Sequence, residues 1–448
     1  MLGYFSRSLL LVCLLLSVAC SENTIFRDSF TQCTVSAADS CDAAAVSIHG
    51  VGTDTEFQLG FIEYDDQGQL RDRKQMRTVL KTYRDIGGKR DVILTVFAHG
   101  WHHSAKPGDT NIESFKEMLA KISASETIAA AQDNREKREI LGVYIGWRGD
   151  SMSIKYLNSI TFWGRKSVAH EVGQQGVTEA LLRLEEIVNV RAGFEMENPK
   201  PRNSRMVVIG HSFGGAVVFT ALQQVMADRF IDSRPGKTYS NSAQGFGDLV
   251  VLMNPAFEAM RYSTLFDISQ SCGESSCRRY WPDQMPRLAV LTSEGDIATG
   301  MAFPAGRVFS TMFETHDTLE RHINTSAENK PVPIEIKESK ADTTTIGHFE
   351  PYWTHRLEPL ANDNSRDKDF VLRSLGKGWS EQDYGQQLEF EHVALKHLKR
   401  SHPLNPYLNI YVSEELIPDH NKIWGDRVIA FIEDLITIST TPIQAEPQ

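Results

Sequence analysis

The chain has 448 residues, of which 41% are hydrophobic and 23% are charged, and its formal net charge is -11. This ordinary globular balance supplies enough apolar side chains for a sizeable core. The mildly acidic charge gives no electrostatic reason to bind nucleic acid, an anionic lipid or a polyanionic substrate, so none of these is an expected partner.

The first nineteen residues have the pattern of a signal peptide. Arg7 supplies a positive charge, residues 9–16 form an unbroken apolar run, and three small residues follow. Because the run is too short to span a bilayer, we expect an exported protein from which residues 1–19 are removed.

Residues 16–20, Leu-Ser-Val-Ala-Cys, resemble a bacterial lipobox, although Ser17 stands where that pattern prefers Leu. The resemblance implies that Cys20 is lipidated and anchors the protein to a membrane without a spanning helix. Ser21 follows in place of Asp, which by resemblance to lipoprotein sorting in Gram-negative bacteria implies the outer membrane, on its periplasmic side. The alternative is a plain secretory signal that is cleaved nearby.

Four further cysteines come as two close pairs, Cys33 with Cys41 and Cys272 with Cys277. In an exported protein an even number of cysteines predicts two local disulfides, although four cysteines allow three pairings. Zinc is the competing interpretation. Neither pair has metal-finger spacing with nearby histidines, so we expect no metal.

Residues 20–50 are rich in Ser, Ala and Asp and show little periodicity, which predicts a lipid-anchored tether. From residue 57 onward, strand patterns and helix patterns alternate. The predicted strands cover 57–64, 91–98, 141–147, 206–209, 249–253 and 288–292, and the predicted helices cover 75–86, 112–122, 172–190 and 216–226.

This alternation predicts an α/β fold with a doubly wound, mostly parallel sheet. The apolar, β-branched run at 91–98 is typical of a strand that is buried on both faces. From about 300 to 405 the periodicity blurs, and we interpret this stretch as an insertion or lid before a last strand at 407–412 and a last helix at 424–436. The predicted domain covers 51–448, and ligands are expected beyond the carboxyl ends of its strands.

The clearest motif is Gly210-His211-Ser212-Phe213-Gly214, a G-x-S-x-G pattern between a buried strand and an apolar helix. Such a serine sits on a strained strand-to-helix turn that projects its hydroxyl above the sheet. The glycines let backbone and helix approach closely, and the helix aims its N-terminal amides at a developing oxyanion. We therefore predict that Ser212 is a nucleophile.

A second motif, His99-Gly100-Trp101, follows the strand predicted at 91–98. An H-G pair at this point, followed later by G-H-S-F-G-G, resembles the α/β-hydrolase superfamily with its lipases and esterases. The resemblance implies that the backbone N–H groups of Trp101 and Phe213 form an oxyanion hole. For the His99 side chain, the favoured interpretation is a packed histidine that holds the loop.

The resemblance also implies an acid after a later strand, and the strand predicted at 288–292 leads into a loop with two carboxylates. Asp296 fits the position of the family's acid, whose role is to fix the tautomer of a histidine and to stabilise the imidazolium. Glu294 is the alternative acid.

The general base has three candidates. His420 lies between the last predicted strand and the last predicted helix, where the family keeps its histidine. His348 follows a β-branched run in a Gly-His-Phe sequence, and His355 lies close behind it. All three preserve the order Ser, Asp, His along the chain, and His420 is the preferred candidate.

Together these motifs predict an exported, membrane-anchored serine hydrolase that cleaves a small-molecule or lipid carboxylic ester through an acyl-enzyme, with no cofactor. The motifs do not specify a substrate, and an amidase or thioesterase with the same triad is one alternative. The other alternative is a non-catalytic envelope lipoprotein that uses the same fold as a binding or scaffold module.

Overall fold

The computed structural model describes residues 24–149, 158–189, 203–233, 243–273, 275–281, 284–310, 314–360, 375 and 377–440. The signal peptide predicted at 1–19 and the lipidation predicted at Cys20 lie outside these residues. Among the residues described, no helix combines the length and the apolar character needed to cross a membrane.

Most strands belong to one large sheet. In chain order the strands are β1 (Ser29–Thr34), β2 (Ala44–His49), β3 (Phe57–Glu63), β4 (Val92–Ala98), β5 (Glu139–Gly146), β6 (Arg205–His211), β7 (Leu249–Met253), β8 (Leu288–Ser293), β9 (Thr318–Asn324), β10 (Pro331–Lys337), β11 (His355–Pro359), β12 (Gln387–Glu389), β13 (Val393–His397) and β14 (Tyr407–Val412). Twelve of them form a sheet with the order β1-β2-β3-β5-β4-β6-β7-β8-β14-β11-β13-β12, while β9 and β10 form a separate hairpin.

Helices connect these strands. They are α1 (Arg73–Gly87), α2 (Thr110–Gln132), α3 (Asn158–Val172), α4 (Thr178–Asn189), α5 (Phe213–Asp232), α6 (Ala259–Gln270), α7 (Phe303–Ser310), α8 (Glu338–Thr343) and α9 (Asp426–Thr440). Helix α1 illustrates the local sequence logic, because it begins after Asp72, whose side chain accepts a hydrogen bond from the Lys74 backbone N–H. The Tyr83 hydroxyl on its buried face donates to the Gly142 carbonyl at 2.7 Å and so ties α1 to β5.

The centre of the sheet is parallel, from β3 through β5, β4, β6, β7, β8 and β14 to β11. Every residue of β4, β6, β7 and β8 is buried, which requires cover on both faces of the sheet. The predicted α/β class with a mostly parallel sheet is therefore confirmed. The five adjacent strands β4, β6, β7, β8 and β14 end at the same edge, so the loops that follow them meet there.

The prediction that residues 20–50 form a tether is wrong for the part of this segment that the structure describes, because that part contains two strands. Strands β1 and β2 pair in parallel, and β2 pairs antiparallel with β3, so the segment extends the main sheet. Ala44, Ala45 and Val46 are buried. The composition of the segment is poor in strand-forming residues, but pairing with β3 and burial override that weak local preference.

The segment predicted as an insertion, about 300–405, contributes directly to the sheet. Strands β11, β13 and β12 lie beyond β14 and form one edge of the sheet. The β9–β10 hairpin also comes from this segment. Helices α3 and α6 were not predicted, because their apolar residues do not form a clear stripe at helical spacing.

The four cysteines outside the predicted signal form two local disulfides. Cys33 is bonded to Cys41 and Cys272 to Cys277, with sequence separations of 8 and 5 residues. Of the three pairings that the sequence allowed, the structure has the local one. The first disulfide closes the connection between β1 and β2, and the second lies directly after α6.

Candidate active site

The site begins with the turn that joins β6 to α5. Strand β6 ends at His211 and α5 begins at Phe213, so Ser212 alone makes the turn. Its backbone has φ 55° and ψ -119°, a left-handed conformation that is strained for a residue with a Cβ. Helix α5 packs so closely on the end of β4 that a Cβ on Gly214 would lie 2.0 Å from the Ala98 carbonyl oxygen, so this position requires glycine. The serine thus stands at the carboxyl edge of the sheet, as its motif predicts.

Three side chains form a hydrogen-bonded line at this edge. His420 Nε2 lies 2.7 Å from Ser212 Oγ, and His420 Nδ1 lies 2.9 Å from Asp296 Oδ2. A carboxylate only accepts hydrogen bonds, so Nδ1 carries the proton and Nε2 is left to accept from the serine hydroxyl. Ser212, Asp296 and His420 come from the loops after β6, β8 and β14, and the structure brings them together as the preferred prediction requires.

Asp296 is the buried end of this line. Its side chain is 0% exposed, compared with 18% for that of His420. Burial alone raises the pKa of Asp296, but the hydrogen bonds and charge of His420 and the hydrogen bonds of Thr299 outweigh burial and lower it below its ordinary value. The carboxylate is therefore ionised near neutral pH and can stabilise an imidazolium on His420.

The backbone of His420 is also held. Its carbonyl oxygen accepts one hydrogen bond from His211 Nε2 at 2.9 Å and one from Asn254 Nδ2 at 3.0 Å. Burial, followed by the electrostatic effect of the neighbouring His420, lowers the pKa of His211 to about 3, so His211 is neutral and donates through Nε2–H. The imidazole of His420 is thus fixed both by its own Nδ1 and by the backbone that carries it.

The loop after β4 lies beside the serine. His99 Nδ1 donates to the Gly100 carbonyl at 2.9 Å, and His99 Nε2 accepts from the Trp147 backbone N–H at 3.1 Å. Burial lowers the pKa of His99 to about 4, so the ring is neutral and holds the loop, in agreement with the packed role predicted for it. A Cβ on Gly100 would lie only 2.9 Å from Ser212 Cβ, which shows how closely the loop approaches the serine.

The orientation of this loop bears on the amide of Trp101. The Gly100 carbonyl points toward His99, and in a trans peptide the following N–H, which belongs to Trp101, points the opposite way. The Trp101 ring and the Phe213 ring are 6.4 Å apart between centroids, so the two residues predicted for the oxyanion hole are neighbours. Phe213 is the first residue of α5, where backbone N–H groups have no intrahelical acceptor.

The alternative acid and bases have other contacts. Glu294 accepts a hydrogen bond from Arg356 at 3.0 Å and another from the Glu414 backbone N–H at 3.0 Å. The structure therefore places Asp296, and not Glu294, against His420.

Neither alternative histidine meets the serine. His355 is buried, bonds to the Thr354 hydroxyl at 2.9 Å and packs against the His397 ring at 5.1 Å between centroids. His348 lies 3.2 Å from Thr299 Oγ1, next to the acid loop. Of the three candidates, His420 is the one within hydrogen-bond distance of Ser212.

Sequence reasoning missed the polar residues that support the line. Asn254 follows β7 in the sequence Asn-Pro, a turn signal that could have marked it, and its φ of 43° is one that Asn tolerates. Thr299 had no such signal, since its hydrogen bond to Asp296 depends on the turn after β8. Phe257, which follows the same turn, is buried and stacked on Phe219 at 4.3 Å between ring centroids.

In the described part of the chain, two groups of side chains have metal-ligand proximity, and neither includes Ser212, Asp296 or His420. One consists of Glu314, His316 and Asp342, and the other includes the cysteines of the Cys33–Cys41 disulfide. At the sheet edge a serine hydroxyl is bonded to an imidazole that is itself bonded to a buried carboxylate, an arrangement that can support nucleophilic attack by the serine. Comparisons with family models, with curated proteins and with solved structures gave no match for this chain.

Proposed function

We propose that this chain is a serine hydrolase with the α/β-hydrolase fold that cleaves carboxylic esters through an acyl-enzyme. The observation that carries the proposal is the hydrogen-bonded line from Ser212 Oγ through His420 to Asp296, at 2.7 and 2.9 Å. A nucleophile bonded to a base that is itself oriented by a third group has the geometry needed for covalent catalysis.

The chemistry follows from these positions. His420 Nε2 takes the proton of Ser212 as its Oγ attacks the ester carbonyl carbon, and Asp296 stabilises the imidazolium that forms. The N–H groups of Trp101 and Phe213 stabilise the oxyanion, and His420 returns its proton to the departing alcohol. Water then attacks the acyl-serine with His420 again as base, which releases the acid and restores the serine.

The organisation of the chain supports the superfamily assignment as well as the reaction. The residues follow the order Ser, Asp, His along the sequence, and the G-x-S-x-G serine lies on a strained turn between a strand and a helix. The loop proposed for the oxyanion hole follows β4, the strand that pairs with the nucleophile strand β6. These features are shared with the lipases and esterases that the sequence resembles.

The decisive experiment is labelling of the folded protein by a fluorophosphonate probe, with Ser212→Ala and His420→Ala beside the wild type. We expect the wild type to label, Ser212→Ala to remain dark, and His420→Ala to label at least 100-fold more slowly, an order of magnitude typical of a missing general base. Ser276→Ala, which removes an exposed serine, is the matched control and should label normally. A folded wild type that never labels contradicts the proposal and favours the scaffold alternative.

The type of bond needs a separate assay. A p-nitrophenyl ester, the matching anilide and the matching thioester, all with the same acyl chain, separate an esterase from an amidase or thioesterase. We expect the ester to give the largest kcat/KM. A larger value for the anilide or the thioester would replace the esterase proposal by the corresponding alternative.

We also propose that the enzyme is exported and anchored through Cys20 to the outer membrane of a bacterial cell envelope, facing the periplasm. Two disulfides among the described residues support an oxidising compartment. Labelled palmitate should be incorporated by the full chain expressed in a Gram-negative host but not by Cys20→Ser. Equal incorporation by both chains would contradict the anchor.

A further inference from the structure

The Asp296 carboxylate has a second hydrogen-bonded branch besides His420. The Thr299 backbone N–H donates to Oδ1 at 3.1 Å, and the Thr299 hydroxyl donates to Oδ2, the same oxygen that His420 contacts. His348 Nε2 in turn lies 3.2 Å from Thr299 Oγ1. A continuous line of side chains therefore runs from Ser212 through His420, Asp296 and Thr299 to His348.

The direction of each hydrogen bond in this branch is determined by chemistry. Because a carboxylate can only accept, the Thr299 hydroxyl hydrogen points at Asp296. The lone pair left on Oγ1 must then accept from His348, which requires the Nε2–H tautomer of His348. Burial lowers the pKa of His348, so the ring is neutral near pH 7, and a hydrogen bond to the Asp296 backbone ties it to the acid loop a second time.

The branch is enclosed by protein. Asp296 and Thr299 are each 1% exposed, so bulk water does not replace a lost donor. The Thr345 hydroxyl donates to the Thr299 carbonyl at 3.3 Å, and the Trp353 indole N–H donates to the Gly347 carbonyl at 2.7 Å. The segment that carries His348 is thus tied to the acid loop on one side and to Trp353 on the other.

We propose that Thr299 and His348 are positioning residues for Asp296, which they orient so that it holds the His420 imidazole in one tautomer and one orientation. This inference rests on the proposed function, because it assigns a role in the same site. Neither residue touches the reacting atoms. His348, which the sequence offered as an alternative general base, would instead act through its effect on Asp296.

The titratable groups around Asp296 determine how the loss of the Thr299–His348 hydrogen bonds would change the pH dependence of the reaction. His420, His211 and His348 are the titratable groups whose charge or hydrogen bonds act on the carboxylate, and Tyr411 packs edge-on against His348 at 6.3 Å between centroids. Removal of the Thr299 hydroxyl leaves the negative charge with fewer donors, so the Asp296–His420 pair takes up a proton at a higher pH. The low-pH limb of the kcat/KM profile therefore moves to higher pH.

The test compares variants that differ by one donor. Thr299→Val should lower kcat/KM for an ester about 10-fold and move the acid limb upward by about one pH unit, as expected for one lost hydrogen bond to a charged group. Thr299→Ser keeps the hydroxyl and should behave like the wild type. His348→Leu should shift the limb in the same direction by less, and His348→Gln, which keeps a donor, should restore it.

Thr220→Val is the matched control, because Thr220 Oγ1 lies 2.9 Å from His170 Nδ1 in a buried Thr–His pair that has no bond to the acid. This variant should leave the pH profile unchanged. An equal shift in Thr220→Val would overturn the inference, since it would show a general effect of removing a buried hydroxyl.

A second readout does not depend on activity. The Nδ1–H proton of His420, identified by its absence in His420→Gln, should give a low-field NMR signal whose titration midpoint moves upward in Thr299→Val. If esters are not cleaved but this shift occurs, the proposed function fails and the positioning inference stands. If the wild type is active and the midpoint in Thr299→Val equals that of the wild type, the inference is wrong and the proposed function stands.

Discussion

The side-chain amide of Asn254 donates to the carbonyl oxygen of His420 at 3.0 Å, across a separation of 166 residues. Its Oδ1 accepts from the Ser293 backbone N–H at 2.9 Å. One side chain therefore joins the loop after β7, the last residue of β8 and the loop after β14, and the proposed acid and base follow β8 and β14. The relation predicts that Asn254 affects the rate of the reaction without touching the substrate.

Asn254→Asp tests this relation. The substitution keeps an oxygen for Ser293 and suits the left-handed backbone, but it places a carboxylate oxygen against the His420 carbonyl. Loss of a buried hydrogen bond costs about 1–3 kcal/mol, so we expect kcat to fall about 10- to 100-fold with little change in KM. The measurement is steady-state ester hydrolysis.

The control for this substitution is Asn134→Asp, which changes another Asn with a left-handed backbone, φ 48°, in an exposed turn after α2. It should leave kcat unchanged. If Asn254→Asp also retains the wild-type kcat, the hydrogen bond to His420 has no part in the rate.

His99 gives a prediction about the loop proposed to form part of the oxyanion hole. His99→Phe keeps an aromatic ring between Tyr144 and Trp147 but removes the donor to Gly100 and the acceptor for the Trp147 N–H. The Gly100–Trp101 peptide is then free to turn, and a misplaced oxyanion donor costs about 3 kcal/mol. We expect kcat to fall about 100-fold. His99→Gln, which keeps a donor, is the milder companion, and unchanged kcat in a folded His99→Phe would exclude this role.

The parts of the site that the sequence predicts are those determined by local geometry. Ser212 is predicted because its glycine-flanked turn is encoded within five residues. His420 is the preferred base because it lies between the last predicted helix and the last predicted strand, 407–412, which matches β14, where the family that the sequence resembles keeps its histidine. The supporting residues were not predicted, since the bonds of Asn254 reach 39 and 166 positions along the chain. Strands β1 and β2 were missed for a similar reason: their order comes from pairing with β3 and not from their own composition.

Buried neutral histidines predict a loss of stability in acid. The pKa of His99 is lowered to about 4 and that of His211 to about 3, in both cases first by burial, from an ordinary value of 6.5. Because the unfolded chain takes up these protons near pH 6.5 and the folded chain does not, stability is full above pH 6.5 and falls as the pH decreases toward 4 and 3. At pH 5 each histidine lowers the free energy of unfolding by about 2 kcal/mol.

Urea unfolding at pH 7.5 and pH 5 measures the sum of such effects, to which His99 and His211 together contribute about 4 kcal/mol and other buried histidines with a lowered pKa, such as His170, add. His211→Gln should reduce the difference between the two pH values. His322→Gln, which changes a histidine whose side chain is 41% exposed, is the control and should not reduce it. Equal stability at both pH values would contradict neutral burial of these rings.

A buried charge cluster beside α6 gives a prediction about stability alone. Glu258 is buried and contacts three cations: Lys166, Arg261 at 2.9 Å and Arg307 at 3.2 Å. Burial raises the pKa of Glu258, but the charge of Lys166 outweighs it and lowers the pKa to about 2, so the carboxylate is ionised. Glu258 contacts all three of these cations, while Asp342 contacts Arg307 at 2.7 Å, so the cluster is asymmetric.

The asymmetry predicts unequal costs for the two halves of the Lys166–Glu258 pair. Glu258→Gln removes the carboxylate that all three cations contact and should lower the free energy of unfolding by about 3 kcal/mol or more, whereas Lys166→Met leaves Glu258 paired with two arginines and should cost about 1 kcal/mol. The double variant should cost less than the sum of the single variants, because each single variant already removes the contact between Lys166 and Glu258. Urea unfolding of the three variants at pH 7.5 measures this order. Equal costs for the single variants would show that the arginines do not depend on Glu258.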